Sequence, residues 1–218
     1  MCGIAGILPA GDPPAESRLT PEARAHRLDA MLGALAHRGP DEGDTVHPPE
    51  ASLGMCRLAI VGIESGQQPI ESENGDFVIV GNGEIYNAPA LRRALEARGH
   101  RFRGGSDIEA VLHLFEEEGE RALEQLNGMF AVAILDRRQR RVFVARDRLG
   151  IKPLFMASHA SGIYFASELP AIARALPADA AELEVRGPSA RQDGPGRVED
   201  VLQTEAPHDS SSRTTATS

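Results

Sequence analysis

The sequence has no tryptophan, two tyrosines and two cysteines in 218 residues. Two cysteines are too few for a disulfide framework in a chain of this size, so the thiols point to a reducing cytosol and a cytoplasmic protein. No apolar run approaches the ~18 residues of a membrane span, and the apolar start is broken at Gly3 and Gly6 with no basic flank before it. Neither a membrane anchor nor a signal peptide is expected. Basic residues are in deficit: 23 Lys and Arg stand against 32 Asp and Glu, a net charge of −9. Without a cationic stripe to meet phosphates, small molecules or proteins are better partners than nucleic acid. The seven histidines contain no His-x-x-x-His pair and neither cysteine lies in a Cys-x-x-Cys, so spacing predicts no metal site. What is present is ordinary for a globular domain, 41% apolar and 25% charged residues, which excludes collagen-like, coiled-coil and wholly disordered chains.

The length fits one good-sized domain or one domain and a tail. Apolar periods alternate with turn residues from the start to about Pro177. From Ala178 to Ser218 there is no aromatic residue, Gly and Pro are scattered, and the last residues are almost all Ser, Thr and Ala. Such a composition buries too little surface to offset chain entropy, which predicts a disordered tail. Within the domain, Thr20-Pro21 starts a helix whose Leu28, Met31, Leu32 and Leu35 share a face. Asn87 and Gly99 bound a second helix, and Ser106 with Glu109 forms a capping box for a third that carries Ile108, Val111, Leu112 and Phe115. Strands are expected at Gly3 to Leu8, Leu53 to Ile60, Phe77 to Val80, Phe130 to Leu135, Val142 to Ala145, Leu154 to Ala157 and Ile163 to Ala166, with Asp136 to Arg140 as a hairpin connection. Strands clustered late in the chain, with helices grouped between, give α+β layering: stacked sheets covered by helices.

Cys2 follows the initiator Met, and a small second residue is the usual condition for trimming that Met. The α-amine of a chain has a reference pKa of about 7.7–8.0, so a terminal Cys carries a nucleophile and a base on one residue. The bland alternative is a small apolar residue opening a buried strand. Gly81-Asn82-Gly83-Glu84-Ile85-Tyr86-Asn87 lies between a strand and a helix, where the Asn82 side-chain amide and the Gly83 N–H can donate to an oxyanion. Asn-Gly is equally the signature of a type I′ turn. Arg57 at a strand end and Asp107 in a first helical turn offer opposite charges to the carboxylate and ammonium of an amino acid. Their bland alternatives are a solvated strand end and a partner for the helix dipole. His37 to Asp41 reads as helix-stop chemistry, Gly104-Gly105-Ser106 as a turn, Glu116 to Glu118 as a solvated helix end, and Cys56 as a buried strand residue.

Together these segments resemble the glutaminase domain of class II glutamine amidotransferases, most closely that of glutamine-dependent asparagine synthetases. The resemblance runs through Met1 to Gly6, His37 to Asp41, Arg57 to Ile60, Gln68-Pro69, Asn82 to Asn87, Gly105 to Glu109, Gly128 to Ala131, Arg146 to Leu154 and Phe165 to Glu168, in order, over about four fifths of the chain. It implies a four-layer αββα sandwich of the N-terminal nucleophile hydrolase type, with two antiparallel sheets, over residues 2–177. It implies Cys2 as nucleophile, Asn82 and Gly83 as oxyanion donors, and Arg57, Asn82, Gly83, Glu84 and Asp107 as anchors for glutamine, with Leu58, Ala59, Ile60 and Val61 lining the pocket. The reaction implied is hydrolysis of glutamine to glutamate and ammonia through a Cys2 thioester. No cofactor is implied for this part; ATP and Mg²⁺ belong to the family's synthetase domain, whose Ser-Gly-Gly-x-Asp loop does not occur in these residues. Ammonia release without asparagine synthesis is therefore expected, unless a synthetase domain or subunit in trans supplies the acceptor site. The other reading is a truncated, non-catalytic remnant or a glutamine-binding regulatory module.

Overall fold

The computed structural model of the chain describes residues 1–11, 17–58 and 66–176, together with the backbone of residues 184–186 and 202–205. In chain order the elements are β1 (Gly3–Pro9), α1 (Pro21–Leu35), β2 (Glu42–Val46), β3 (Ser52–Arg57), β4 (Ile70–Glu71) and β5 (Phe77–Ile85). Then follow α2 (Ala88–Ala97), α3 (Asp107–Glu118), β6 (Gly128–Asp136), β7 (Arg141–Arg146), β8 (Phe155–His159), β9 (Gly162–Ala166), α4 (Leu169–Ala175), β10 (Glu184–Arg186) and β11 (Leu202–Glu205). One sheet has the order β10-β8-β9-β1-β3-β2 and the other β11-β7-β6-β5-β4, and every pairing is antiparallel.

Period-two alternation assigns each strand residue to one of three apolar layers. Ile4 and Leu8 of β1, Leu53 and Met55 of β3, Val78 and Val80 of β5, and Ala131, Ala133 and Leu135 of β6 fill the space between the sheets. The opposite face of the first sheet packs Ala5, Ile7 and Tyr164 against Leu28, Met31 and Leu35 of α1 and Ile172 of α4. The opposite face of the second sheet packs Phe77, Ile79, Phe130, Val132, Ile134 and Phe143 against Ile108, Val111, Leu112 and Phe115 of α3. The result is the αββα sandwich that the resemblance implies. Strands such as β6 read as apolar throughout because both of their faces are covered.

The helix signals act as chemistry dictates, with two exceptions: Asn87, expected to cap α2, makes no side-chain cap bond and instead engages the Gln125 carbonyl and the Asn127 N–H, and Glu109 departs from its capping box. Thr20 Oγ1 accepts from the Ala23 N–H at 3.2 Å with Pro21 in the first turn, and Ser106 Oγ accepts from the Ile108 N–H at 3.3 Å. Glu109, however, reaches past its expected capping partner and accepts from the N–H groups of Arg103 (2.6 Å) and Gly104 (2.9 Å) in the preceding loop. The Asp136 carboxylate closes the hairpin by accepting from the N–H groups of Arg138 and Gln139 at 2.9 and 3.1 Å.

Three further differences follow from short or polar segments. β3 stops at Arg57, and residues 59–65, on which the rest of the predicted strand falls, lie outside the described residues. β2, β4 and α4 have too few alternating apolar positions to be read from sequence. Most of the stretch predicted as a tail also lies outside the described residues, but β10 pairs with β8 and β11 with β7, so both sheets extend beyond the boundary read at Pro177.

Candidate active site

Cys2 sits just ahead of β1, where three contacts fix the chain. Arg38, in the single 3₁₀ turn (Ala36–Arg38) that ends α1, donates from Nε to the Cys2 carbonyl at 3.1 Å. Two residues on, Ile4 N–H donates to Ser167 Oγ and Ser167 N–H to the Ile4 carbonyl, both at 2.9 Å. The half-buried Cys2 sulfur is thereby turned toward Leu58, whose N–H donates to Sγ at 3.4 Å. Cys56, one residue before Arg57, is the opposite case. Its thiol is buried, donates to the Leu32 carbonyl at 3.3 Å, and is pushed up by burial and then by neighbouring Cys2. That leaves Cys2 as the accessible sulfur, and Cys56 as the buried strand residue its sequence context indicates.

The far wall of the site is the exposed edge of β5. Asn82 and Gly83 do not form a turn between strand and helix; they lie inside the strand, opposite Ala131 and Phe130 of β6. The N–H and C=O groups of odd-numbered β5 residues point away from β6, and those of residues 77, 79, 81 and 85 meet partners there. Phe77 pairs with Ser72, Ile79 with Ile70 of β4, and Gly81 with the Gln68 side chain, which accepts from its N–H at 2.6 Å and donates to its carbonyl at 3.1 Å. Ile85 N–H donates to Asp107 Oδ2 at 2.6 Å. Gly83 follows the same alternation, because both backbone groups of Phe130 opposite it are taken by Asp147, and its N–H faces the cavity. A Cβ at Gly83 would lie 2.3 Å from the Met129 carbonyl oxygen and 2.6 Å from Phe130 Cα, so only glycine fits between β5 and β6 there. Asn82 is 2% exposed, and its Nδ2 has no hydrogen-bond partner among the described residues.

Cys2, Arg57, Leu58, Asn82, Gly83, Glu84 and Asp107, seven of the ten residues singled out from sequence, border one cavity of about 130 Å³. The other three, Ala59, Ile60 and Val61, lie outside the described residues. Arg57 is 4% exposed rather than a solvated strand end, and its Nη1 donates to Glu42 Oε2 at 2.8 Å. Asp107 accepts from Ile85 N–H through Oδ2 and from Ile108 N–H at 3.0 Å through Oδ1. Its carboxyl is pushed above the ordinary range first by burial, with Glu84 adding to the rise and the backbone bonds opposing it. A cation brought beside it would be welcomed. The cavity thus offers a guanidinium, a carboxylate that favours a positive neighbour, an Asn82 amide with no partner among the described residues, the Gly83 backbone, and a sulfur.

Three supporting residues escape sequence reasoning. Arg38 reads as helix-stop chemistry, yet it holds the Cys2 carbonyl and pairs with Glu168 at 2.7 Å. Gln68 and Lys152 also line the cavity. Lys152 is placed there by Asp147, whose buried carboxylate collects the N–H groups of Phe130, Leu149, Ile151 and Lys152. Each belongs to a segment that carries the family resemblance; the missing signal is the contact, which only the fold supplies.

Comparison with known proteins identifies a family for the chain. The glutamine amidotransferase domain family matches residues 1–187. Asparagine synthetase [glutamine-hydrolyzing] 2 of Bacillus subtilis is 38% identical over 172 residues, 79% of this chain and 22% of that protein. Asparagine synthetase [glutamine-hydrolyzing] 3 of the same organism is 40% identical over 174 residues, 79% of this chain and 27% of that protein. The chain therefore spans about a quarter of the length of these curated relatives. Among solved structures, glutamine phosphoribosylpyrophosphate amidotransferase from Bacillus subtilis superposes with a TM-score of 0.61 at 24% identity, covering 80% of this chain and 43% of that one. That likeness shows the N-terminal nucleophile hydrolase fold.

Proposed function

This chain belongs to the glutamine amidotransferase domain family, in its asparagine synthetase type, and from that membership we propose that Cys2, exposed by removal of Met1, hydrolyses glutamine in the cavity between β1 and β5. Arg57 receives the α-carboxylate of glutamine and Asp107, with Glu84 at the rim, its ammonium. The side-chain carboxamide then faces Cys2. The Cys2 α-amine takes the thiol proton, Sγ bonds to the carboxamide carbon, and the carbonyl electron pair moves onto oxygen. Asn82 Nδ2 and the Gly83 N–H receive that oxyanion. Collapse breaks the C–N bond, the α-ammonium returns its proton to the departing nitrogen, and ammonia leaves behind a thioester. Water, deprotonated by the same amine, bonds to the thioester carbon; the C–S bond then breaks, the α-ammonium returns its proton to Sγ, and glutamate leaves.

The observation that carries this reading is the buried, unpartnered Asn82 Nδ2 on the cavity that the Cys2 sulfur borders. A buried donor without an acceptor costs about 1–3 kcal/mol, a cost a fold retains where a ligand supplies the acceptor. The family resemblance supports an ammonia acceptor of the asparagine synthetase kind, an ATP- and Mg²⁺-dependent domain in the same polypeptide or in a partner. No helix among the described residues is long and apolar enough to cross a membrane.

Glutamate release from glutamine by the purified chain tests the proposal. Cys2→Ala is expected to lower the rate at least ~10³-fold, and Asn82→Ala ~10²–10³-fold in kcat with little change in KM, as loss of one oxyanion donor does. Equal rates from wild type and Cys2→Ala would reject it.

A further inference from the structure

On the outer side of α3, away from the cavity, the Glu116 to Glu118 segment that reads as a solvated helix end is engaged with two histidines. His113 is 2% exposed and is held between the rings of His100 and Phe102, with centroids 4.8 and 4.7 Å away. His100 Nδ1 and His113 Nδ1 are 3.2 Å apart, His113 Nδ1 and Glu116 Oε2 are 2.7 Å apart, and His100 Nδ1 and Glu116 Oε2 are 3.7 Å apart. Ligand atoms around a tetrahedral Zn²⁺ are separated by about 1.6 times the metal–ligand distance, roughly 3.3 Å for bonds of ~2.0–2.1 Å. The three separations bracket that value.

Tautomers decide what such a triangle does. His100 Nε2 lies 3.0 Å from Glu117 Oε1, which places the His100 proton on Nε2 and leaves Nδ1 a lone pair. His113 Nε2 is buried, has no hydrogen-bond partner among the described residues, and lies 4.0 Å from Glu109 Oε1. If His113 carries its proton on Nδ1, its Nε2 lone pair faces a carboxylate. If the proton sits on Nε2, toward Glu109, then two imidazole lone pairs and a carboxylate oxygen face one another across 2.7–3.7 Å, an arrangement that a bound cation satisfies. His100 then has the Glu117 carboxylate hydrogen-bonded behind its outer nitrogen, the second layer that orients metal-binding imidazoles, while Glu109 sits behind His113 beyond hydrogen-bond distance. We propose that His100, His113 and Glu116 bind one divalent transition-metal ion of the Zn²⁺ class, fastening the loop after α2 to α3. The histidines lie 13 residues apart on a loop and a helix, so a search for short His-x-x-x-His spacing passes over them.

The test is titration of the untagged, chelator-stripped full chain with Co²⁺ and then Zn²⁺ alone. We expect one equivalent of Co²⁺ with the intense visible absorption of four-coordinate cobalt, displacement by Zn²⁺, and a higher melting temperature with metal. His100→Gln and Glu116→Gln, both at partly exposed positions, should keep the apo circular dichroism spectrum and weaken binding roughly 100-fold or more, since loss of even an outer-layer partner costs about 10–100-fold. Cys2→Ala should bind as wild type does. Absence of saturable binding, or a signal that survives His100→Gln and vanishes in Cys2→Ala, overturns the site and would mean that the cluster is a hydrogen-bonded network only. None of these readouts depends on glutamine hydrolysis.

Discussion

Burial pushes the Asp107 carboxyl up, hydrogen bonds from the Ile85 and Ile108 N–H groups pull it back, and Glu84 adds a further upward push; the net direction is upward. A protonated Asp107 has no charge to offer the ammonium of glutamine, so proton and substrate compete for it. The sign follows: kcat/KM, which reports the free protein, falls as pH drops through the raised Asp107 pKa, above the ordinary carboxylate range near ~4. In the complex the bound ammonium stabilises the carboxylate, so the acid limb of kcat lies at lower pH. Asp107→Asn should abolish the difference between the two acid limbs and raise KM about 10- to 150-fold, the worth of one charged hydrogen bond of roughly 1.5–3 kcal/mol. Parallel profiles of kcat and kcat/KM for wild type and variant check this, and an unchanged separation in the variant would remove Asp107 from ammonium binding. Residue chemistry alone pointed to this pairing of Arg57 with Asp107. It did not reveal that Asp107 also closes the β5 edge at Ile85, because that contact joins residues 22 positions apart.

Among the elements, α1 and α3 are legible because caps and apolar spacing agree in each, and α2 from its apolar spacing and its glycine stop, since the Asn87 side chain does not cap it, whereas β5 is legible only to Val80. Its second half, Gly81 to Ile85, lacks apolar alternation, and Asn-Gly carries the composition of a turn. The strand persists there because side chains replace the missing neighbour: Gln68 pairs with Gly81 and Asp107 with Ile85, with Gly83 on the cavity between them. Extending the strand past its paired neighbour is what brings Gly83 to the cavity that the Cys2 sulfur also borders. Gly83→Ala tests the element. Its methyl would meet backbone atoms of Met129 and Phe130, which cannot swing aside as a side-chain tip can, so β5 and β6 must separate locally. Overpacking of this kind costs about 1–3 kcal/mol, and for a domain of this size each kcal/mol shifts the melting temperature ~2–4 °C. The expected result is a lower melting temperature and a kcat loss exceeding that of a destabilising core variant matched for melting temperature. Equal losses in the two variants would reduce Gly83 to a packing role.

On the scale of the whole molecule, the site depends on the two sheets facing each other, since β1 brings Cys2 and β5 brings Asn82 from opposite sides of the inter-sheet core. Periodicity shows that both strands are covered on two faces, but not which sheets stack. Nor does it show that Ser167, 163 residues after Ile4, pins the start of β1. The same closure joins the end of α1 to the start of α4 through Arg38 and Glu168, with the Cys2 carbonyl on the other side of the guanidinium. Burial alone would raise the Glu168 carboxyl, but hydrogen bonds from Arg38 and then His37 outweigh it and hold it below the ordinary range. A depressed folded pKa stabilises the protein fully above the unfolded carboxylate value of about 4.3, and that contribution is lost as pH falls through the folded pKa. Glu168→Gln should therefore destabilise the chain by up to about 1 kcal/mol at neutral pH, the range of a solvent-screened ion pair, with the two melting curves converging under acid where wild-type Glu168 is protonated. It should also lower kcat without changing the pH dependence assigned to Asp107, because Arg38 loses the partner that steadies it against Cys2. Melting temperatures for both proteins from neutral to acid pH, beside glutamate release at neutral pH, separate the outcomes. A gap that stays constant with pH would mean that the Glu168 contact contributes through shape alone, and an unchanged kcat would detach the α1–α4 closure from the reactive sulfur.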